Sequence, residues 1–145
     1  MVNDTGCLVY IFEVVLQKKV IFMQIRSYRD LDIWQRARTI TVKAYSLTKS
    51  FPKEETYGMV SQIRRAAASL PANIAEGWGR HYPAEFIQFL RTANGSRAEL
   101  ETHLILCVDI GLCREGDIQE ILADTTILGK QLLAMERSLK SQAKP

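Results

Sequence analysis

The chain has 145 residues, of which 47% are apolar and 24% are charged, a composition that indicates one folded domain with a hydrophobic core and argues against a disordered chain. Its three cysteines are an odd number without zinc-like spacing, so neither a disulfide framework nor a zinc site is expected. Reduced thiols fit a cytoplasmic protein, and the formal net charge of +3 is mild.

The charges are distributed unevenly along the chain. Residues 26–53 carry seven basic and two acidic side chains, whereas residues 99–124 carry seven acidic side chains and one basic one. Such an asymmetry can serve an anionic partner, or it can let the basic face of one subunit meet the acidic face of the next. A solvated charged helix face is the third possibility.

The first 22 residues differ in kind from the rest. Residues 7–16 form an apolar run that contains Glu13, and this run is too short to span a bilayer, which takes roughly 20 residues. Lys18 and Lys19 follow the run, whereas a signal peptide has its basic residues before it. The segment is interpreted as an added upstream piece, with Met23 as an alternative start; a short strand or helical arm packed on the domain or on a neighbour is the other reading. We assign residues 1–27 to an N-terminal extension, 28–141 to the folded domain and 142–145 to a tail.

Apolar residues recur at spacings of three and four through residues 28–140, which predicts amphipathic helices. The first predicted helix carries apolar residues from Ile33 onward and ends at Phe51, because a proline follows. The second begins near Glu55 and is expected to stop at Gly77 and Gly79.

The third predicted helix starts at Pro83, a favoured residue in a first turn, and stops at Gly111. The fourth has Glu115 in its opening turn and Lys140 near its end, as the helix dipole favours. No stretch of this region reads as a convincing strand, and the connections are short. The sequence therefore predicts an all-α protein, an antiparallel up-and-down four-helix bundle.

The second helix contains an unusual stretch, RRAAASLPANIAEGWGR, at residues 64–80. Pro71 has no amide hydrogen for the carbonyl four residues earlier, so a kink is predicted there, and the surrounding alanines leave room for a neighbouring helix. Asn73 and Glu76 share a face beyond the kink, where they are expected to bind the freed carbonyl or groups on the third helix such as Ser96 and Arg97. We interpret Asn73 and Glu76 as part of a polar bracket, a set of hydrogen bonds that fixes the register of neighbouring helices, rather than as a ligand site.

Catalysis finds little support in the sequence. A di-iron bundle needs Glu-x-x-His pairs, but Glu99 and His103 are four apart and His81 falls in a loop. No glycine loop connects a strand to a helix, and no nucleophile can be paired with a histidine. Cys107 occupies an apolar helical position and is interpreted as an inert buried thiol. We predict no enzyme, no metal and no cofactor.

Binding to an anionic polymer is more plausible, because arginine offers several planar donors to phosphate. The aromatic residues Trp34, Tyr57, Trp78 and Tyr82 are either stacking partners for bases or, more commonly at helical spacing, core or subunit contacts. The basic candidates for contacting nucleic acid are Arg36, Arg38, Lys43, Arg64, Arg65 and Arg80.

Two stretches carry a resemblance to a known family. QIRRAAASLPANIAEGWGR at residues 62–80 contains paired arginines and Ser-x-Pro-x-Asn-Ile-Ala-Glu-Gly, and EFIQFLRTANGSRAELETHL at residues 85–104 contains Phe-Leu-x-x-Ala-x-Gly-Ser and Glu-Leu-Glu-Thr. Over residues 28–139 the chain resembles the bacterial four-helix-bundle family first noted in reading frames of ribosomal-RNA intervening sequences. In that family Pro71, Asn73, Glu76, Gly77 and Ser96 belong to the structural signature.

The resemblance implies a homopentamer in which the bundles form a barrel with a central opening. It also implies a relation to the accessory variability determinant protein of diversity-generating retroelements, a basic barrel that binds nucleic acid and a reverse transcriptase. The family has no known enzymatic activity. The leading hypothesis is a non-enzymatic oligomeric scaffold that binds RNA or DNA through a basic surface, with no membrane partner. The alternative is a self-assembling protein-interaction module without nucleic-acid binding.

Overall fold

A computed structural model of the chain describes residues 25–142. Its long helices are α1 (Asp32–Thr48), α2 (Met59–Gly79), α3 (Pro83–Asp109) and α4 (Glu115–Gln142). Short 3₁₀ turns at Tyr28–Asp30 and Lys53–Glu55 precede α1 and α2, and none of the described residues lies in a strand. The predicted all-α four-helix bundle is confirmed. The interpretation of residues 1–22 and most of the predicted tail lie outside the described residues, and the predicted domain boundaries stay predictions.

The four helices pack in a ring, in which α1 contacts α2 and α4, and α3 contacts the same two helices from the other side. Each helix turns one apolar stripe inward, as the spacing of three and four requires. Ile40, Leu70, Leu100 and Leu128, one from each helix, are completely buried. The core is therefore one continuous apolar layer along the bundle axis.

The first two helices are shorter than predicted at their shared end. α1 ends at Thr48, although Phe51 beyond it is still buried, and α2 begins at Met59 rather than near Glu55. The Glu55 carboxylate accepts a hydrogen bond from the Met59 amide at 3.0 Å, so this residue caps the helix from outside. Apolar spacing alone does not distinguish a buried turn from a helical one.

The predicted end of α2 at Gly79 is confirmed, but Gly77 is not itself a helix stop. It lies inside α2, is buried, and faces α3 so closely that a Cβ atom there would be 2.6 Å from Phe89 Cβ and 2.7 Å from Phe86 Cδ2. Its missing side chain therefore allows α2 and α3 to approach. The chain turns later, at His81, whose φ is 62°.

Gly111 ends α3 as predicted, with a φ of 78° and the paired hydrogen bonds of a Schellman motif. The amide of Leu112 donates to the Cys107 carbonyl at 2.8 Å, and the amide of Gly111 donates to the Val108 carbonyl at 3.0 Å. Glycine is required here because other residues rarely adopt a left-handed backbone.

Pro71 lies in the middle of α2, and the helix continues past it to Gly79. The Ala67 carbonyl, which Pro71 cannot bond, lies 2.8 Å from the Thr41 hydroxyl of α1, whose single hydrogen it shares with the Ala37 carbonyl at 2.9 Å. This finding corrects the expectation that Asn73 or Glu76 would bind the freed carbonyl. The replacement bond instead ties α2 to α1.

A polar bracket does join α2 to α3, with membership that differs from the expectation. Asn73 Nδ2 donates to the Ser69 carbonyl at 2.8 Å and lies 3.1 Å from Ser69 Oγ. The Ser69 and Ser96 hydroxyls then bond each other across the interface. Glu76 takes no part, because its carboxylate pairs with Arg80 one turn further along the same helix.

An ion pair joins α3 to α4. Glu136, whose side chain is 15% exposed, accepts hydrogen bonds from Arg91 at 2.8 Å and lies 2.7 Å from Lys140 Nζ. The hydrogen bonds from Arg91 first, and then from Lys140, lower the pKa of this carboxyl. Arg97 lies against Gly129 of α4 and pairs with Glu101 of its own helix. Arg97 therefore faces α4 rather than the polar bracket.

Candidate nucleic-acid interface

Two of the six predicted basic residues are engaged across the α1–α4 interface. Arg36 Nη1 lies 2.9 Å from Asp124 Oδ1, and Lys43 Nζ lies 2.7 Å from Asp124 Oδ2 and close to Glu120. Hydrogen bonds to Asp124 and then Glu120 raise the pKa of Lys43. The acidic stretch of α4 thus neutralises part of the basic stretch of α1 within one subunit, an arrangement that the three sequence-based interpretations did not include.

Three further candidates lie at separate places on α2 and its end. Arg64 Nε donates to Thr48 Oγ1 at 2.9 Å, and its guanidinium carbon lies 4.8 Å from the centre of the Tyr45 ring. Arg65 is exposed on the other side of the helix, 3.4 Å from Glu99. Arg80 pairs with Glu76 at 2.9 Å. Of these three residues, Arg64 contacts α1, whereas Arg65 and Arg80 pair with acids of α3 and α2.

Arg38 behaves differently from the other five candidates. It is exposed on the outer face of α1 and forms no ion pair with any residue of the 25–142 range. Its guanidinium carbon lies 6.0 Å from the centre of the Trp34 ring. This geometry is a cation–π contact at the edge of its range, and it leaves the donors of the guanidinium facing solvent.

A second arginine repeats the arrangement beside it. Arg29 lies 5.7 Å from the centre of the Tyr28 ring, and the Tyr28 and Trp34 rings meet edge to face at 5.3 Å. Arg29 likewise pairs with no carboxylate in the described part of the chain. We call these four residues the stacking surface: Tyr28, Arg29, Trp34 and Arg38.

The stacking surface forms one wall of a wide groove on the outside of α1, with a volume of about 930 Å³. Gln35, Thr39 and Val42 continue the groove along the helix. Both rings are half-buried, so the packing holds their planes in place while one side stays accessible. Fixed aromatic rings next to unpaired arginines can stack on bases and contact phosphates.

Sequence reasoning identified Trp34 and Arg38 but missed Tyr28 and Arg29, which precede the helical pattern. The signal that places them is the spacing of Ser27 and Asp30. These two side chains form a capping box that holds Tyr28–Asp30 as a 3₁₀ turn. The turn positions Tyr28 against the first turn of α1.

The other aromatic candidates take different positions. Tyr57 and Tyr82 are exposed at loops, at opposite ends of α2. Trp78 is half-buried and packs edge to face on Phe86 at 6.1 Å. None of these three lies in the groove beside α1.

The described residues offer little to catalysis. Nowhere in the 25–142 range do three or more His, Cys, Asp or Glu side chains gather as a metal site would need, and His103 Nε2 lies 3.6 Å from Glu99. Burial raises the pKa of the Cys107 thiol to about 11, so the nucleophilic thiolate is scarce near neutral pH. Among the helices of this range, none combines the length and apolar character that a membrane crossing requires.

Comparison with known proteins identifies the family of the chain and a solved structure with a similar fold. The family model described as 23S rRNA-intervening sequence protein matches residues 29–134, from the turn before α1 into α4. A solved structure with the same fold is a protein of unknown function from the S23 ribosomal protein family of Bacteroides thetaiotaomicron VPI-5482, determined at 1.70 Å. It has a TM-score of 0.65 and 23% identity, over 72% of this chain and 98% of that chain. No curated protein matches the chain.

Proposed function

Because the chain belongs to the 23S rRNA-intervening sequence protein family, which is of unknown function and is not a known enzyme family, we propose that it is a non-enzymatic, oligomeric interaction protein that binds single-stranded RNA or DNA. The stacking surface is the binding site. The observation that carries this proposal is the contrast between Arg38 and the other basic candidates, which have acidic or hydroxyl partners within the subunit.

The chemistry of the stacking surface favours a single strand over a duplex. Bases of a single strand are free to stack on aromatic rings, and each stacked base contributes about 1–3 kcal/mol. Arg29 and Arg38 would contact the phosphates next to those bases through their outward donors. A duplex keeps its bases stacked on each other and offers the rings nothing comparable.

One subunit supplies few contacts, so affinity depends on assembly. Two arginines and two rings bind weakly by themselves, whereas several linked copies raise the apparent affinity through effective concentration. The pentamer implied by the family resemblance would present five stacking surfaces to one strand. Binding should then weaken both with added salt and with dissociation of the oligomer.

The test is a titration of labelled 20-nucleotide RNA and DNA strands at two salt concentrations. Arg38→Ala should weaken binding at least about tenfold in an assembled protein, since each copy loses a phosphate contact. Arg65→Ala is the matched control, because it removes the same charge from another exposed, helical arginine. Equal losses in the two variants would assign binding to net charge and refute the stacking surface. No binding at low salt would refute the proposed function.

A second candidate function is self-assembly without nucleic-acid binding. Ile105, Leu106 and Ile110 lie near the C-terminal end of α3 with 50%, 39% and 57% of their surface exposed. Exposed apolar side chains so close together are typical of protein contacts. A double replacement, Ile105→Lys with Ile110→Lys, should lower the oligomer mass measured by light scattering if this function is correct, and an unchanged mass would refute it.

A further inference from the structure

A cavity of about 230 Å³ opens at the end of the bundle where α1 begins and α4 ends. Its walls come from α2, α3 and α4, from the turn between α2 and α3, and from the chain before α1, and they are predominantly apolar. The residues that define its shape are Ile25, Leu31, Trp78, Phe86, Met135 and Leu139. It lies apart from the stacking surface and shares no residue with it.

The size and chemistry of the cavity fit one large apolar side chain. A dry apolar cavity of about 150 Å³ is large enough for benzene, so this one accommodates an aromatic ring with room for its backbone. Leu31 and Phe86 form its buried floor, and Trp78 and Met135 are half-buried beside them. Covering such a surface removes apolar area from water, which favours any apolar group held nearby.

The sequence supplies such a group close to the cavity wall along the chain. Residues 20–23 read Val-Ile-Phe-Met, and only Gln24 separates them from Ile25, which is part of the cavity wall. Phe22 is three residues from that wall, and an extended chain covers at most about 3.6 Å per residue, so its ring can reach the opening. A tether this short gives an effective concentration in the millimolar range.

We propose that residues 20–23 dock into this cavity and that the ring of Phe22 fills it. This docking would cover the apolar lining of the cavity. This proposal does not rest on nucleic-acid binding, because neither the cavity nor residues 20–23 share a residue with the stacking surface. Trp34 is replaced in its test only to leave one tryptophan emitter.

The experiment uses the fluorescence of Trp78, which lines the cavity. The chain has two tryptophans, so a Trp34→Phe background makes Trp78 the only tryptophan emitter. In that background Phe22→Ala should shift the Trp78 emission to longer wavelength and lower the melting temperature by about 4–8 °C. Phe12→Ala, the same replacement ten residues earlier, is the matched control and should change neither quantity.

Three other outcomes would overturn the proposal. An unchanged Trp78 emission in Phe22→Ala means that the ring does not lie in the cavity. Equal changes in Phe12→Ala and Phe22→Ala mean that residues 20–23 are not the specific occupant. If dilution of the Trp34→Phe protein with Phe22 intact produces the same emission shift as Phe22→Ala, the segment docks into a second copy rather than into its own subunit.

Discussion

Gly77→Ala should destabilise this protein although alanine is the better helix former. In a helix interior alanine is favoured over glycine by about 1 kcal/mol, and Gly77 lies inside α2. The new Cβ atom, however, would be 2.6 Å from Phe89 Cβ and 2.7 Å from Phe86 Cδ2. Carbon atoms pack best at roughly 3.5–4.0 Å, so both distances fall short by about 1 Å.

The size of the effect follows from which atoms would have to move. The Phe86 ring can rotate, but Phe89 Cβ is attached directly to the backbone, so α3 itself would have to shift. Overpacking of this kind costs about 1–3 kcal/mol, and a helix displacement belongs at the upper end. After subtraction of the helix propensity gain, we expect Gly77→Ala to lower the free energy of unfolding by about 2 kcal/mol.

Gly95→Ala provides the opposite expectation within the same protein. Gly95 lies in the exposed middle of α3, and a Cβ atom there would meet nothing within 4 Å. This variant should gain about 0.5–1 kcal/mol. Urea unfolding at fixed protein concentration, with the oligomer mass checked for each variant, measures both values. A Gly77→Ala protein as stable as Gly95→Ala would refute the close approach of α2 and α3.

Three further predictions concern single polar contacts, each measured by urea unfolding. Thr41→Val should lower the free energy of unfolding by about 1–2 kcal/mol, because it leaves the Ala67 carbonyl freed by Pro71 without a donor. This cost should largely vanish in a Pro71→Ala background, where the new amide of residue 71 bonds the carbonyl. Additive effects of the two replacements would contradict this role of Thr41. Asp124→Asn should lower the free energy of unfolding by about 1–3 kcal/mol, because the Asp124 side chain is only 16% exposed and pairs with two cations. Glu99→Gln should lower it by under about 0.5 kcal/mol, because Glu99 is 43% exposed. Equal costs would contradict the importance of the α1–α4 ion pairs. Because its pKa is lowered in the folded state, ionised Glu136 stabilises the fold above the unfolded pKa of about 4.3, and this contribution is lost as the pH falls through the folded pKa. Glu136→Gln should therefore weaken the pH dependence of the urea midpoint between about pH 5 and pH 3.

Much of the fold could be read from the sequence because helix formation is largely local. The spacing of apolar residues at three and four placed all four helices, and Pro83 and Gly111 marked the two ends of α3 correctly. These signals act within one or two turns of chain. Where a buried residue belongs to a turn, as Phe51 does, the same signal overextends the helix.

The candidate site was less accessible to sequence reasoning, because a charge pattern does not reveal partners. Arg36 and Arg38 are two residues apart and look alike in the sequence, yet Arg36 meets Asp124 across the bundle while Arg38 stacks on Trp34 beside the groove. Residues two apart on a helix point in different directions, and only the position of α4 decides which direction holds an acid. The number of basic residues in a stretch of sequence therefore does not show whether their side chains meet on one surface.

The sequence by itself determined the class of fold, the order of its helices and the need for a replacement donor opposite Pro71. The tertiary structure alone decided that this donor is Thr41, that Gly77 is a contact rather than a stop, and that the acids of α4 pair with the same subunit's α1. Periodicity and backbone chemistry are properties of neighbours along the chain. Contacts between residues far apart depend on the packing and register of the helices, which no local pattern encodes.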